Sequence, residues 1–468
     1  MTIGRIVLAL GLLVGMGAQA CAAKVYLRWT ESKFPQAKVL GTNEIVIPWN
    51  EAASALLAEA KKQGYQAYVE ASATQIVDAV NAVEKVGAAG VVLRGEAAEH
   101  SALTEKAKGV RKAHPKLKVL TLDAHGKQPE MRGWLVFKRD GILQVSSPTS
   151  QPWLDTNLAA IRYERGFEAA APLYSFAWDE TDPLVKQQGV KPVDYALAIA
   201  EAGAYHADLL LQVHEAQQKG LVGGDKNTLE DWAQVRRYLD FYSDGDGSAG
   251  DAEARVCVLT EDYETSFEAL NLMARHNIPF RVMKSSEARA SDLSLCDVVV
   301  AFAEPSKELA AALNEFATKA GVVVTVKLQG PFAWESAAKA TDNGPSITYA
   351  VGKGRVIALK EAIIDPETFA QDVRRLMAKG TVPVSLWNSL TTLVAAYPGK
   401  KSGEVVVEVV NYDGESTQVQ VQVKGQFASA SLDLPEGGRT EELKTTQVDG
   451  FTQFVVPDLV VGGRVRLE

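Results

Sequence analysis

The sequence predicts a multidomain α/β protein: a (β/α)8 barrel, then a doubly wound α/β domain, then a small antiparallel β-sandwich. Three observations predict it. From residue 24 to about 245, eight short apolar runs alternate with helical patterns. Across 254–380 the same alternation resumes after a polar linker, and from 381 the chain turns to polar–apolar alternation with closely spaced turns. At 468 residues the chain is too long for one ordinary domain, and 47% hydrophobic against 23% charged residues is the composition of a folded globular protein.

The first stretch, MTIGRIVLALGLLVGMGAQACAAK, places Arg5 before an apolar core, and small residues follow it. This predicts a secretory signal over residues 1–23 and a secreted or periplasmic protein. Cys21 offers a lipidation site, but Ala18 stands where a lipobox takes Leu. No later run is long and apolar enough to span a bilayer. The net charge of −9 argues against nucleic acid as a partner.

The eight predicted barrel strands are 24–29, 44–49, 66–70, 90–95, 118–123, 142–147, 172–178 and 207–213. Continuous apolar strands interleaved with helices indicate a parallel sheet covered on its faces. Asn50 can cap the helix after the second strand, and Pro152 can occupy the first turn of a later one. No helix is expected between the first two strands, and "GWLVFKRDGILQVSS" reads as a hairpin turning at Asp140-Gly141. An open doubly wound sheet fits these irregularities as well.

Residues 242–254, "YSDGDGSAGDAEA", form the linker. Beyond it, "ARVCVLTED", "IPFRVM", "CDVVVAFAE" and "GVVVTV" are strands between helices, closed by a hairpin at Gly352-Lys353-Gly354. Cys257 and Cys296 lie in strand-like runs, where buried free thiols are expected, and a disulfide between them, though open to an oxidising compartment, is not indicated by their spacing. "GEVVVEVVNYDG", "STQVQVQVKG" and "TQFVVPDLVVGGRVRLE" carry the alternation of a sandwich.

This order of domains, with "ITYAVGKGRVIAL" and "VVVEVVNYDG" as its local echoes, resembles the glycoside hydrolases built like three-domain bacterial β-galactosidases. The resemblance implies a catalytic TIM barrel (24–245), a flavodoxin- or amidotransferase-like domain (254–380) and a C-terminal sandwich (381–468). It also implies a carbohydrate substrate and no cofactor. Those barrels carry an Asn-Glu pair after the fourth strand, where this chain has Gly95-Glu96, and a Glu after the seventh, where it has Asp179 and Glu180. The turn "AEPSKE" in the middle domain lacks the Cys of a working glutaminase, so that domain is expected to be non-catalytic and to pack on the barrel or mediate a homo-oligomer.

In a barrel, reacting groups sit where strands end. Glycoside hydrolysis needs one carboxylic acid for the leaving oxygen and a second carboxylate at the anomeric centre. Glu96 and Asp179 are the expected catalytic pair, with Glu180 as the alternative to Asp179. Along "PLYSFAWDE", Ser175, Ala177 and Asp179 share one face, and the bulky Tyr174, Phe176 and Trp178 suit the helix layer. Trp29, Trp49, Trp153 and Trp178 could stack on sugar rings, while Glu70, Arg94, Asp123, His125, His214 and Glu215 complete a predicted substrate-binding set. No metal site is predicted. A non-catalytic carbohydrate-binding or envelope scaffold with a degenerate barrel is the competing expectation.

Overall fold

The structure, a computed structural model, describes residues 22–95, 100–122, 130–132, 138–139, 142–143, 156–167, 171–177, 190–245, 247–378, 380–413, 415–437 and 440–468. Eight strands form one parallel sheet. They are β1 (Val25–Arg28), β2 (Glu44–Pro48), β3 (Gln66–Ser72), β4 (Gly90–Arg94), β5 (Lys118–Leu122), β6 (Glu130–Arg132), β9 (Leu173–Ala177) and β10 (Asp208–Gln212). Their order, β5-β4-β3-β2-β1-β10-β9-β6, follows the chain around a near-barrel. The seam between first and last is closed by Val25↔Leu209 through Arg28↔Gln212. Among the described residues no strand pairing joins β5 to β6.

Strand alternation explains why these segments build a barrel. Val25, Leu27, Ile45, Ile47, Val69, Val91, Leu93, Leu209 and Leu211 belong to the core beneath the helices. Tyr26, Val46, Tyr68, Val92, Leu122 and Leu210, of the opposite parity, form a separate cluster that fills the barrel interior. Tyr174 and Phe176 belong to the helix-side core, as their bulk suggested.

The helices are α1 (Ala37–Leu40), α2 (Ala53–Lys62), α3 (Ile76–Val86), α4 (His100–Ala113), α5 (Leu158–Phe167), α6 (Pro192–Ala204), α7 (Glu215–Gly223) and α8 (Lys226–Ser243). In α3 the buried Ile76, Ala79, Val80 and Val83 recur at helical spacing, and Gly87 at φ 66° ends the helix. Asn50 accepts from the Ala52 amide at 2.8 Å just ahead of α2. Pro152 lies outside the described residues.

Two expectations are corrected. The sixth sheet strand is Glu130–Arg132, not 142–147. Ile142–Leu143 (β8) instead pairs with Lys138–Arg139 (β7), the local pairing that the hairpin reading of the sequence implies. A helical turn, α1, does fit between β1 and β2, terminated by Gly41 at φ 80°.

The second sheet comprises β11 (Val256–Thr260), β12 (Phe280–Lys284), β13 (Val298–Ala301), β14 (Val322–Val326), β15 (Lys339–Asp342), β16 (Ser346–Val351) and β17 (Gly354–Leu359). Its order is β12-β11-β13-β14-β17-β16-β15, parallel up to β17 and antiparallel beyond. The β16–β17 hairpin turns at Gly352, φ 58°, as its glycines suggested. Cys257 and Cys296 are disulfide-bonded with Cα atoms 5.9 Å apart, correcting the expectation of free thiols. The reason is the crossover that lays β13 directly beside β11.

The last sheets are β18 (Val384–Trp387), β21 (Thr417–Lys424), β25 (Phe451–Leu459) and β24 (Thr446–Val448), facing β19 (Thr392–Pro398), β20 (Val405–Asn411), β26 (Gly462–Leu467), β22 (Ala430–Asp433) and β23 (Thr440–Glu442). Their valine-rich inner faces share one core. The helix-side barrel core continues through Val258 and Phe280 of the second sheet into Leu393, Tyr397 and Tyr412 of the third unit.

Polar contacts cross the same seams. Glu201 on α6 is fully buried and accepts from Thr156 Oγ1 (2.9 Å), Asn157 N (2.9 Å), Asn157 Nδ2 (2.7 Å), Tyr174 OH (3.2 Å) and Tyr412 OH (2.7 Å). Five donors compensate the cost of removing that carboxylate from water. Arg464 pairs with the buried Glu408 at 2.5 Å and stacks on Phe241 of α8, 4.7 Å from the ring centre. Where α5 crosses the edge strand β12, a Cβ on Gly166 would fall 2.6 Å from the Val282 carbonyl oxygen. Only glycine permits that approach.

Candidate active site at the barrel mouth

The interior of the barrel is packed rather than hollow. Across its middle, Tyr26 meets Tyr68 edge-to-face at 5.3 Å among Val46, Val92 and Leu210. Below that layer, at the N-terminal ends of the strands, the Lys118 ammonium donates to Tyr26 OH at 2.6 Å and lies 5.2 Å and 5.7 Å from the Tyr26 and Tyr68 ring centres. Burial pushes the Asp208 carboxyl up to about 6, with Lys118, Lys24 and Glu44 as its charged neighbours, and burial also lowers Lys118. With the floor closed in this way, the C-terminal ends of the strands are where a barrel of this kind meets its ligands.

At the mouth the same interior parity presents Arg28 from β1, Glu70 from β3 and Arg94 from β4. Arg28 Nε lies 2.5 Å from Glu70 Oε2 and Arg94 Nε lies 2.6 Å from Glu70 Oε1. The Glu70 side chain is 6% exposed, against 23% for Arg28 and 38% for Arg94. One carboxylate hydrogen-bonded to Arg28 and ion-paired with Arg94 is a charge-assisted arrangement. Its chemistry is positioning and electrostatic: Glu70 lies between two guanidinia, whose further N–H groups can face a ligand's hydroxyl or anionic oxygens.

Beside it, Gln218 of α7 ties the loop after β1 to the loop after β10. Its Oε1 accepts from the Thr30 and Glu31 amides at 2.9 and 3.0 Å, and its Nε2 donates to the Val213 carbonyl at 2.6 Å. Lys219, one residue on, reaches Glu31 at 3.8 Å and Glu215 at 3.6 Å. Among the described residues no group of three His, Cys, Asp or Glu side chains could hold a metal ion.

The structure thus brings together Glu70 and Arg94 of the predicted set and separates others from it. Trp29 is fully buried, stacks on Phe34 at 6.0 Å and donates its indole N–H to the Lys33 carbonyl at 2.9 Å, so it has no face to offer a sugar. Trp49 is half-buried against the helix-side core. His214 is the N-cap of α7, its Nδ1 accepting from the Ala216 amide at 3.3 Å, and Glu215 is a first-turn acid of that helix. Glu96, Asp123, His125, Trp153, Trp178, Asp179 and Glu180 lie outside the described residues. Sequence reasoning missed Arg28 and Gln218. Arg28 was legible, since it shares the parity of Tyr26 and Trp29 does not; Gln218, on a helix of otherwise weak pattern, gave no signal.

A concavity of about 620 Å³ lies away from the mouth, where α5, β12 and the start of the sandwich meet, lined by Arg162, Tyr205, His206, Phe280 and Tyr397 among others.

No family model matches the sequence, and no curated protein matches it. The fold, in contrast, has close counterparts among solved structures. Alpha-L-fucosidase isoenzyme 2 from Paenibacillus thiaminolyticus is similar at a TM-score of 0.65 and 12% identity, over 96% of this chain and 99% of that one. A beta-galactosidase from Rahnella sp. R3 is similar at a TM-score of 0.52 and 11% identity, over 90% and 94%. Nearly end to end, this chain has the fold of proteins named as glycosidases.

Proposed function

We propose that the chain is a secreted glycoside-hydrolase-like enzyme that cleaves a poly- or oligosaccharide at the barrel mouth with a carboxylate pair. The observation that carries this reading is the built mouth itself: a closed floor, a packed interior and an ion-paired Arg28–Glu70–Arg94 cluster at the C-terminal edge. The end-to-end fold likeness supports it by analogy.

In this reading Glu96 and Asp179 are the acid and the nucleophile or water-activating base, with Glu180 in reserve for Asp179. In sequence, Glu96 continues the parity of Val92 and Arg94, and Asp179 that of Ser175. Glu70 holds the two arginines in place, Arg28 and Arg94 meet sugar hydroxyls, and Trp153 and Trp178 offer stacking faces beside Asp123 and His125. The barrel would be the catalytic domain (24–245), the amidotransferase-like unit (254–380) a non-catalytic support for oligomers, and the sandwich (381–468) the third domain.

The second reading, a non-catalytic carbohydrate-binding or envelope scaffold protein, is favoured by the pairing of Glu70 with two arginines and by Gly95 standing before Glu96. Reducing-end release from a panel of plant, fungal and bacterial glycans separates the two, with Glu96→Gln, Asp179→Asn and Glu180→Gln assayed beside the parent. Release abolished by one or two of these changes, with thermal unfolding unaltered, is the expected result. Saturable binding without release on any glycan would move the assignment to the scaffold.

A further inference from the structure

We propose that the outer face of the β18-β21-β25-β24 sheet is a second glycan site, one that binds an uncharged polysaccharide chain across the strands. The inference does not depend on catalysis in the barrel.

Alternation sorts this sheet cleanly. Val384 and Leu386 of β18, Val419, Val421 and Val423 of β21, and Phe454 and Val456 of β25 point into the sandwich core. Their neighbours therefore point outward. The pairing register then aligns them in rows. Trp387 lies opposite Gln420, which lies opposite Val455. In the next row Ser385 pairs with Gln422, Gln422 with Gln453, and Gln453 with Thr446.

Three properties of these rows point to a neutral carbohydrate. First, Trp387 is 53% exposed on an edge strand, and its ring has no aromatic or cationic partner among the described residues. An indole held open on a sheet costs solvent-exposed apolar area unless something covers it, and the C–H face of a pyranose is the matching shape. Second, the side-chain amides of Gln420, Gln422 and Gln453 bond to no other described residue, so each keeps both donors and an acceptor for a ligand. Paired donor and acceptor capacity is what a row of sugar hydroxyls requires. Third, neither row contains a charged side chain, in a protein with 49 basic and 58 acidic residues. That absence suits a ligand without charge, and the nearest charge on this face of β21, Lys424 opposite Phe451, stands one row beyond the ladder.

The spacing fits as well. Adjacent strands stand about 4.8 Å apart, so Ser385, Gln422, Gln453 and Thr446 form a ladder about 14 Å long. That step is close to the length of one pyranose ring, which lets successive sugars meet successive strands. Trp387 stands one row over, at the edge-strand end of the ladder, as a terminal stacking platform.

Affinity electrophoresis of the full chain in native gels tests this, with xyloglucan, galactomannan, mixed-linkage β-glucan and arabinogalactan as neutral probes and alginate as the charged one. Trp387→Ala and Gln422→Ala are compared with the parent, and neither change touches the sandwich core. Retardation by a neutral polysaccharide that Trp387→Ala weakens about tenfold or more, and that Gln422→Ala also weakens, is expected. Glu70→Gln should leave this retardation in place, which separates the sheet from the barrel mouth. Four results would overturn the inference: no retardation by any probe, retardation by alginate alone, retardation that Trp387→Ala and Gln422→Ala leave unchanged, or a concentration-dependent dimer that Trp387→Ala dissolves. Hydrolysis by the Trp387→Ala protein would bear on the barrel alone.

Discussion

The Tyr412 hydroxyl donates to Glu201 across 2.7 Å, joining residues 211 positions apart in the chain. Tyr412 follows β20 of the sandwich, in the "NYDG" of the sequence, and Glu201 lies in the last turn of α6 in the barrel. Tyr412→Phe removes the shortest of the hydroxyl donors to a fully buried carboxylate. It should lower the stability of the whole chain by about 1–3 kcal/mol, read as a drop in denaturant midpoint without a change in slope. An unchanged midpoint would mean that another donor replaces the phenol.

The mouth cluster should show its coupling in a double-mutant cycle. Glu70→Gln removes the charge that faces both guanidinia, so it should destabilise by about 1–3 kcal/mol. Once Glu70 is Gln, Arg28→Ala should cost less than it does in the parent. Additive losses would show that the pairs at 2.5 and 2.6 Å contribute nothing jointly.

Asp208 gives the barrel floor a pH signature. Its folded carboxyl titrates near 6, raised by burial from the ordinary 3.8. Between those values the folded state holds a proton that the unfolded chain has released. Its contribution to stability is therefore complete below about pH 4 and lost as the pH rises through about 6. Asp194, also raised to about 6 by burial, acts in the same direction. Asp208→Asn should raise the Tm relative to the parent at pH 8, and the gain should fall to about half at pH 5 and vanish below about pH 4. A gain that is equal at all three values would show that titration is not its source.

At the α5–β12 crossing, Gly166→Ala places a methyl group 2.6 Å from the Val282 carbonyl oxygen. The helix or the strand must give way, at about 1–3 kcal/mol. Gly109 on α4 has no atom near its would-be Cβ, so Gly109→Ala is the control and should be neutral or stabilising. Thermal melts of the two variants make the comparison.

The Cys257–Cys296 bond closes a loop of 39 residues. Chain-entropy reasoning gives it about 4 kcal/mol. The Cys257→Ser, Cys296→Ser protein should melt lower than the parent without reductant, and the two should converge when the parent is reduced.

How far the sequence led depends on which interactions are local. The strands of the barrel and the second sheet were legible because each is a dense apolar run between turn residues, and Tyr174 and Phe176 declared their face by bulk alone. The sixth strand was misplaced because Ile142–Leu143 pairs locally with Lys138–Arg139, while the short "EMR" that joins the sheet has no apolar run to announce it. The disulfide was hidden by topology: cysteines 39 residues apart meet only because β13 crosses to lie beside β11. At the site, Glu70 and Arg94 were found from their places at strand ends. Trp29, Trp49, His214 and Glu215 were selected by residue type, and packing or capping accounts for them instead.

The aromatic and aliphatic layer across the barrel separates two populations of side chains that never meet. Substitutions in the layer residues Tyr26 and Tyr68 and in Lys118 and Asp208 beneath them register as changes in whether the chain folds. Substitutions above the layer also change what the mouth presents. Selection can therefore rewrite one end of the barrel while the other stays under constraint. Such a division lets a scaffold keep its shape at 12% identity to a solved fucosidase while the residues at its opening change.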